Sequence, residues 1–186
     1  GTHLHTGINK VEMSIDKFNV EAEIEPIYIL GDFAVVTNDN KWVISGRQHN
    51  YLLGSTKDRG APFYPWEMCY SKSYHIDMKQ DCYYISVPKW KGSLVQIWVN
   101  GQKAGLVFAD PYNLDITDFI KSGKNRIEVR VIGGMDNFLG PHHSRSNGST
   151  PPWDWQKHNG NDHADGYILT DYGLFDDFEL FHAKYK

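Results

Sequence analysis

Cysteine is scarce in this chain. Cys69 and Cys82 are the only two among 186 residues, too few for a disulfide framework to stand in for a hydrophobic core. If 70–76 and 82–87 form a hairpin around 77–81, the two sulfurs fall out of register. That favours free buried thiols over a disulfide, because a free cysteine packs as a small apolar side chain. Long apolar runs are missing too, and none approaches the roughly 20 residues that a membrane span needs. Cations are not in excess: 19 Lys and Arg against 23 Asp and Glu leave a net charge of −4. The chain therefore lacks the positive footprint that nucleic acid or an anionic membrane attracts. No G-x-S-x-G elbow, phosphate-binding glycine loop, H-E-x-x-H pair or D-x-D-x-D-G calcium loop is found, and there are no internal repeats. The first residue is Gly and no secretory apolar segment follows it. Residues 1–20 are accordingly expected to be a tag remnant or linker and lead-in, on a piece cut from a longer protein.

Aromatics and turn formers are abundant. There are 11 Tyr, 9 Phe and 6 Trp, with 17 Gly and 8 Pro, a mixture that suits a β-sandwich with ligand-facing loops better than a helical bundle. The stretch 94–132 is the most informative. Residues 94–99 alternate in strand fashion, and Asn100-Gly101 follows at once. A type I′ hairpin turn needs positive φ at both central positions, which Asn tolerates and Gly adopts freely. Residues 102–108 return as the second strand, and Asp110-Pro111 ends it. One short helical turn is expected from Leu114 through Phe119 and Ile120, capped by Asp115 or Thr117 and stopped at Ser122-Gly123. Over 126–132, Ile127, Val129 and Val131 face one way and Arg126, Glu128 and Arg130 the other, the pattern of a half-buried strand. Other strands are expected at 27–30, continuing as 33–36 past a break or bulge at Gly31-Asp32, and at 42–45, 68–76, 82–87, 167–170 and 175–182, roughly nine in all. Residues 133–165 form a long aperiodic loop within a single domain spanning 21–186.

The order of these features resembles a known family. Val99-Asn100-Gly101, then Pro111, Leu114-Asp115-Ile116-Thr117, and Lys121, Gly123, Asn125, Ile127, Val129 and Val131 resemble the sugar-binding β-sandwich of family 2 glycoside hydrolases. Pro62-Phe63-Tyr64 with Tyr70, Lys72 and Tyr74 matches the same domain upstream. Pro26, Tyr28 and Gly31-Asp32-Phe33 on one side, and Asn137, Leu139, Gly140-Pro141-His142-His143 on the other, resemble the C-terminal sandwich of large bacterial glycosidases, including α-L-rhamnosidase-like proteins. The resemblance implies an all-β fold, an antiparallel β-sandwich of jelly-roll type (galactose-binding-domain-like). It also implies a place as an accessory domain beside the catalytic domain of a longer chain, and a periplasmic, extracellular or cell-surface location.

Several residues are candidates for chemistry. Trp153-Asp154-Trp155, with His142, His143 and Arg145, combines indole rings that stack on sugar C–H faces with groups that hydrogen-bond hydroxyls. The other reading of this loop, which the residues favour, is a lid packed over one sheet. Tyr64 and Trp66, beside Phe63, form a second candidate platform, with core or interface packing as the alternative. His142, His143, His158 and His163 lack the spacing of a zinc site, and His3 and His5 are weak metal candidates. Asp162, Asp165, Asp171, Asp176 and Asp177 are candidate ligands for a structural calcium, the one cofactor considered. Glycoside hydrolysis needs two carboxyls about 5–9.5 Å apart across a cleft. Glu67, Asp154 and Asp171 are available, but nothing pairs them, so no catalytic residue is assigned. Three readings stay open: a carbohydrate-binding accessory module, a structural domain that docks on a catalytic domain and lends a loop to its cleft, and a small enzyme in its own right. Function lies in the site rather than the fold.

Overall fold

In the computed structural model the described residues are 3, 5–17, 20, 27–38, 41–47, 51–77, 81–140, 142–143 and 166–184, with Asp81 described by its backbone alone. The chain forms two compact units, 1–31 and 32–186. The first is irregular and exposed where described, with Lys10 paired to Glu12 at 2.9 Å. The apolar run 27–30, expected as a strand, is irregular there and exposed. Apolar character alone does not make a strand, which needs a neighbour's N–H and C=O groups to complete its ladder.

The second unit is all-β and antiparallel. β1 (Ala34–Asn38) and β2 (Lys41–Ser45) form a hairpin. The long β3 (Glu67–Ile76), β9 (Gly123–Ile132), β6 (Leu94–Val99) and β7 (Gln102–Val107) form a sheet in that spatial order. A second sheet runs β11 (Glu179–Lys184), β4 (Asp81–Ser86), β8 (Asn113–Asp115). The short β5 (Trp90–Lys91) and β10 (Gly173–Leu174) pair with each other. The core lies between the two larger sheets. Val95, Ile97, Val99, Ile127, Val129 and Val131 come from one, Tyr83, Ile85 and Val87 from the β4 side, with Ile116, Ile120, Leu174 and Phe178 closing it. This is the antiparallel sandwich expected from the alternation, in which one face of each strand is buried and the other is not.

The turn chemistry behaves as its residues require. Asn100 has φ 53° and Gly101 φ 84°, and Val99 pairs with Gln102 across them. Leu114-Asp115 begins as a strand rather than a helical turn, because β8 pairs with β4 through Ile85 and Leu114. Asp115 still acts locally: its Oδ1 accepts from the Thr117 N–H at 2.9 Å and from the Thr117 hydroxyl at 2.6 Å, opening the 3₁₀ turn Thr117–Phe119. The cysteines are unpaired, but for a different reason from the one expected. Strands β3 and β4 do not form a hairpin; β3 pairs with β9 and β4 with β11 and β8. Cys69 is exposed rather than buried, while Cys82 is half-buried. Residues 167–170 are irregular rather than a strand, and the last strand starts at Glu179.

One buried side chain ties these parts together. Asn125 is 0% exposed. Its Oδ1 accepts from Asn100 Nδ2 at 2.9 Å and from the Lys121 N–H at 3.0 Å. Its own Nδ2 donates to the carbonyls of Lys121 and Gly123, at 2.6 and 3.1 Å. Asn100 then donates to the Phe119 carbonyl and accepts from the Arg126 N–H. Truncating Asn125 leaves several buried groups unmatched, each at about 1–3 kcal/mol. Asn125→Ala is therefore expected to lower unfolding stability by about 3 kcal/mol or more, whereas Asn113→Ala, on an exposed position of β8, stays within about 0.5 kcal/mol of the parent. Urea unfolding of both variants measures this, and equal midpoints would refute a structural role for the amide.

Candidate functional site

One end of the second unit gathers four chain segments around a groove of about 470 Å³. β1 contributes Val35, Val36 and Thr37, and β2 contributes Trp42. The 3₁₀ turn Thr56–Arg59 adds Lys57 and Asp58, and the segment after residue 165 adds Tyr167 and Leu169. The volume falls within the range of small-molecule sites. Its lining is mixed and somewhat more polar than apolar: Val35, Val36, Trp42, Tyr167 and Leu169 stand together with Thr37, Lys57 and Asp58.

Backbone hydrogen bonds hold these segments in place. Val35 N–H donates to Gly60, Gly54 N–H to Leu174 and Thr56 N–H to Tyr172. A Cβ at Gly173, where φ is +130°, would collide with the Gly54 carbonyl, so the close approach of these two segments depends on glycine. Asn137, from the single helical turn α1 (Asp136–Leu139), is buried and pins Thr170 from both sides. It donates to the Thr170 carbonyl at 2.8 Å and accepts from its N–H at 2.7 Å. The Ile168 N–H donates to the His142 carbonyl at 2.7 Å. Residues 167–170 thus spend backbone groups on a side chain and a loop rather than on a ladder, which is why no strand forms there.

Aromatic rings pack behind the groove. Tyr167 sits 5.2 Å from Phe63, 5.8 Å from Trp42, 5.4 Å from His142 and 4.8 Å from His143, ring centre to ring centre. Trp42 and Phe63 are 5.5 Å apart, and Phe63 meets His142 edge-on at 5.8 Å. These separations are those of favourable tilted and edge-to-face pairs. His142 Nε2 faces the Asn137 carbonyl at 2.9 Å, and His143 Nδ1 the Gly166 carbonyl at 3.1 Å. A carbonyl can only accept, so each of these nitrogens carries a proton.

The charges are arranged unevenly. Lys57 Nζ lies 2.8 Å from Asp171 Oδ1 and 3.4 Å from the Leu169 carbonyl, and Lys91 Nζ lies 2.9 Å from Asp171 Oδ2. These two ammonium groups, Lys57 first, hold the Asp171 carboxyl far below the usual aspartate range. Nearby, Tyr172 donates to Asp136 Oδ2 at 3.1 Å, and its phenol is pushed up to about 12, by burial and then by that carboxylate. Asp58 has its backbone N–H on the Ser55 carbonyl, but its exposed carboxylate makes no ion pair or side-chain hydrogen bond among the described residues.

The residues expected to carry chemistry are placed unequally. Trp153, Asp154, Trp155, Arg145, Asp162 and Asp165 lie outside the described residues, as do His158 and His163. His142 and His143 join the aromatic cluster. Phe63 parts from its neighbours by turning into that cluster. Tyr64 and Trp66 stay exposed and do not line the groove, with Trp66 65% accessible. The Tyr64 phenol is raised by partial burial and by Glu67. The candidate calcium ligands that are described are already committed elsewhere or dispersed: Asp171 to two lysines, Asp177 to Lys72 at 2.5 Å, while the Asp176 N–H donates to the Lys89 carbonyl. Among the described residues no group of three or more His, Cys, Asp or Glu could hold a metal, and no helix is long and apolar enough to cross a membrane. Trp42, Lys57, Asp58 and Tyr167 were not singled out from the sequence as site residues. Trp42 and Tyr167 are 125 positions apart, and only the folded topology brings them together.

The Asp171 clamp makes acid sensitivity predictable. Its folded pKa lies below its unfolded one, so its contribution is fully present above the ordinary aspartate value of about 4 and is lost as pH falls toward the folded pKa. Asp171→Asn is expected to be less stable than the parent at neutral pH, with the difference shrinking steadily below about pH 4. Urea midpoints across pH measure this; a difference that stays constant into strong acid would show that the carboxylate charge contributes nothing.

No protein-family model matches this chain, and no curated protein matches it. Solved structures do. A rhamnosidase from Novosphingobium sp. PP1Y is similar over 90% of this chain, at 19% identity and a TM-score of 0.50. A β-glucuronidase from Bifidobacterium dentium, in complex with coumarin-3-O-glucuronide, is similar over 82%, at 14% identity and a TM-score of 0.47. A family 2 glycosyl hydrolase from Bacteroides cellulosilyticus is similar over 84%, at 19% identity and a TM-score of 0.41. This chain spans only 16%, 29% and 19% of those three chains respectively. At such identity the rhamnosidase match shows a shared fold: the chain has the all-β sandwich of one part of a much longer protein.

Proposed function

We propose that this chain is a non-catalytic accessory domain of a larger bacterial glycoside hydrolase, working at the cell surface or in the periplasm, and that its groove receives a carbohydrate ring. The observation that carries the reading is the groove itself, lined by the aromatic residues Trp42 and Tyr167 together with Thr37 and Asp58. A pyranose offers C–H faces to a ring and hydroxyls to a carboxylate, so this pairing of wall types suits it. The fold shared with one part of a rhamnosidase supports the accessory role. Trp153 and Trp155, which precede Tyr167 in the sequence, are proposed as further sugar contacts on the strength of their residue type.

A second reading has its own observation. Phe108 is 70% exposed and Trp66 65%, and where such side chains form one contiguous patch they mark a contact surface for a neighbouring domain. In that case the chain positions a catalytic domain and the groove binds nothing.

Titration of the purified chain with plant and bacterial polysaccharides, followed by tryptophan fluorescence and heat, separates the two. Saturable binding is expected, and Trp42→Ala should weaken it by about 2 kcal/mol, roughly thirtyfold, the usual cost of truncating an aromatic anchor. The Trp153→Ala/Trp155→Ala double variant should weaken it further if that loop takes part. No binding by the folded chain, or binding indifferent to Trp42→Ala, would overturn the sugar-groove reading.

A further inference from the structure

We infer that the groove discriminates by charge: it accepts neutral sugar residues and disfavours uronic acids, with Asp58 as the determinant. The inference rests on the reading of the groove as a carbohydrate site and adds to it the class of sugar.

A site that takes a uronate needs a cation with donors to spare, because a carboxylate stripped of water must be matched by charge or hydrogen bonds. Lys57 is the one cation among the described residues lining the groove. Two of the three donors of its ammonium are already engaged, 2.8 Å from Asp171 and 3.4 Å from the Leu169 carbonyl, which leaves one donor for the two oxygens of a carboxylate. Asp171 in turn offers its second oxygen to Lys91. Arg59, next in sequence, turns its guanidinium away to the Leu53 carbonyl at 3.2 Å. Among the described residues the groove is thus left with one charged group that has no ion pair or side-chain hydrogen bond, the carboxylate of Asp58. It can accept hydrogen bonds from two adjacent hydroxyls of a neutral sugar, and it repels a sugar that carries a carboxylate of its own. Because Asp58 is exposed, the repulsion is of the size expected near water. At about 4–5 Å it corresponds to roughly a fivefold preference at low salt, fading as the Debye length shrinks.

The test uses matched ligands that differ only at C6: oligogalactosides against oligogalacturonides, and oligoglucosides against oligoglucuronides, titrated into the parent chain, Asp58→Asn and Trp42→Ala. The expected result is a preference of roughly fivefold for the neutral member, reduced by added salt and abolished in Asp58→Asn. Equal affinities in the parent, or a preference that persists in Asp58→Asn, would overturn the inference. The groove reading would survive that outcome if Trp42→Ala still loses binding. Binding of neither class, or binding unaffected by Trp42→Ala, would overturn both. Since Asp58 is on the surface, its variant is expected to fold as the parent does, which circular dichroism verifies.

Discussion

The architecture depends on one buried amide. Asn125 uses both acceptor positions and both donors of its side chain, and its partners belong to the start of β9, the segment leaving the 3₁₀ turn, and the β6–β7 hairpin. Apolar alternation alone tolerates a slip of two residues, because every inward side chain stays inward. The amide does not tolerate it. A shifted hairpin would carry Asn100 away and leave polar groups unmatched where no water replaces them. The apolar core therefore decides which faces are buried, and Asn125 decides which register they are buried in. This also gives physical meaning to the two asparagines of the V-N-G and G-x-N segments. They form a bonded pair, not independent turn formers.

The same device recurs at the groove. Asn137 holds Thr170 by donating and accepting at once, as a neighbouring strand would, but from a side chain. The segment 167–170 is thereby fixed without joining a sheet, and Tyr167 is left standing in the ring cluster rather than buried beneath a strand.

What could be read from the sequence divides along the same line. The Asn100-Gly101 turn, the facing of β6 and β9, and the all-β sandwich depend on neighbours within a few residues or on simple alternation, and all were legible. The partners of β3 and β4 were not. Alternation says which side of a strand faces inward, but it does not say which strand lies beside it. The run 27–30 carried the composition of a strand and yet is irregular, because pairing is a property of two segments. The site was less legible still. His142 and His143 were found because histidines draw attention in any loop. Trp42 and Tyr167 read as ordinary strand aromatics, and Lys57 and Asp58 as an ordinary polar turn. Their meaning comes from a juxtaposition across the whole unit.

The distribution of charge distinguishes the groove from the outer face of the four-stranded sheet as candidate surfaces. That outer face also offers an indole, Trp98, but the Arg130 guanidinium already lies over its ring at 4.4 Å. Arg130 is itself bound to Glu128 at 2.6 Å and Glu67 at 3.1 Å, and Arg126 adds a further contact to Glu128 at 3.0 Å. A sugar seeking to stack on Trp98 would have to displace a cation held by two carboxylates, giving up a cation–π contact and charge-assisted hydrogen bonds together. At the groove, the comparable triad is Lys57, Asp171 and Lys91, of which Lys57 lines the groove. Among the described residues no cation lies over the ring of Trp42 or Tyr167. Among the described residues, then, two aromatic and ionic assemblies of similar composition differ in one respect, a cation over the ring in the first and none in the second, and that difference makes the second the better candidate for recognition.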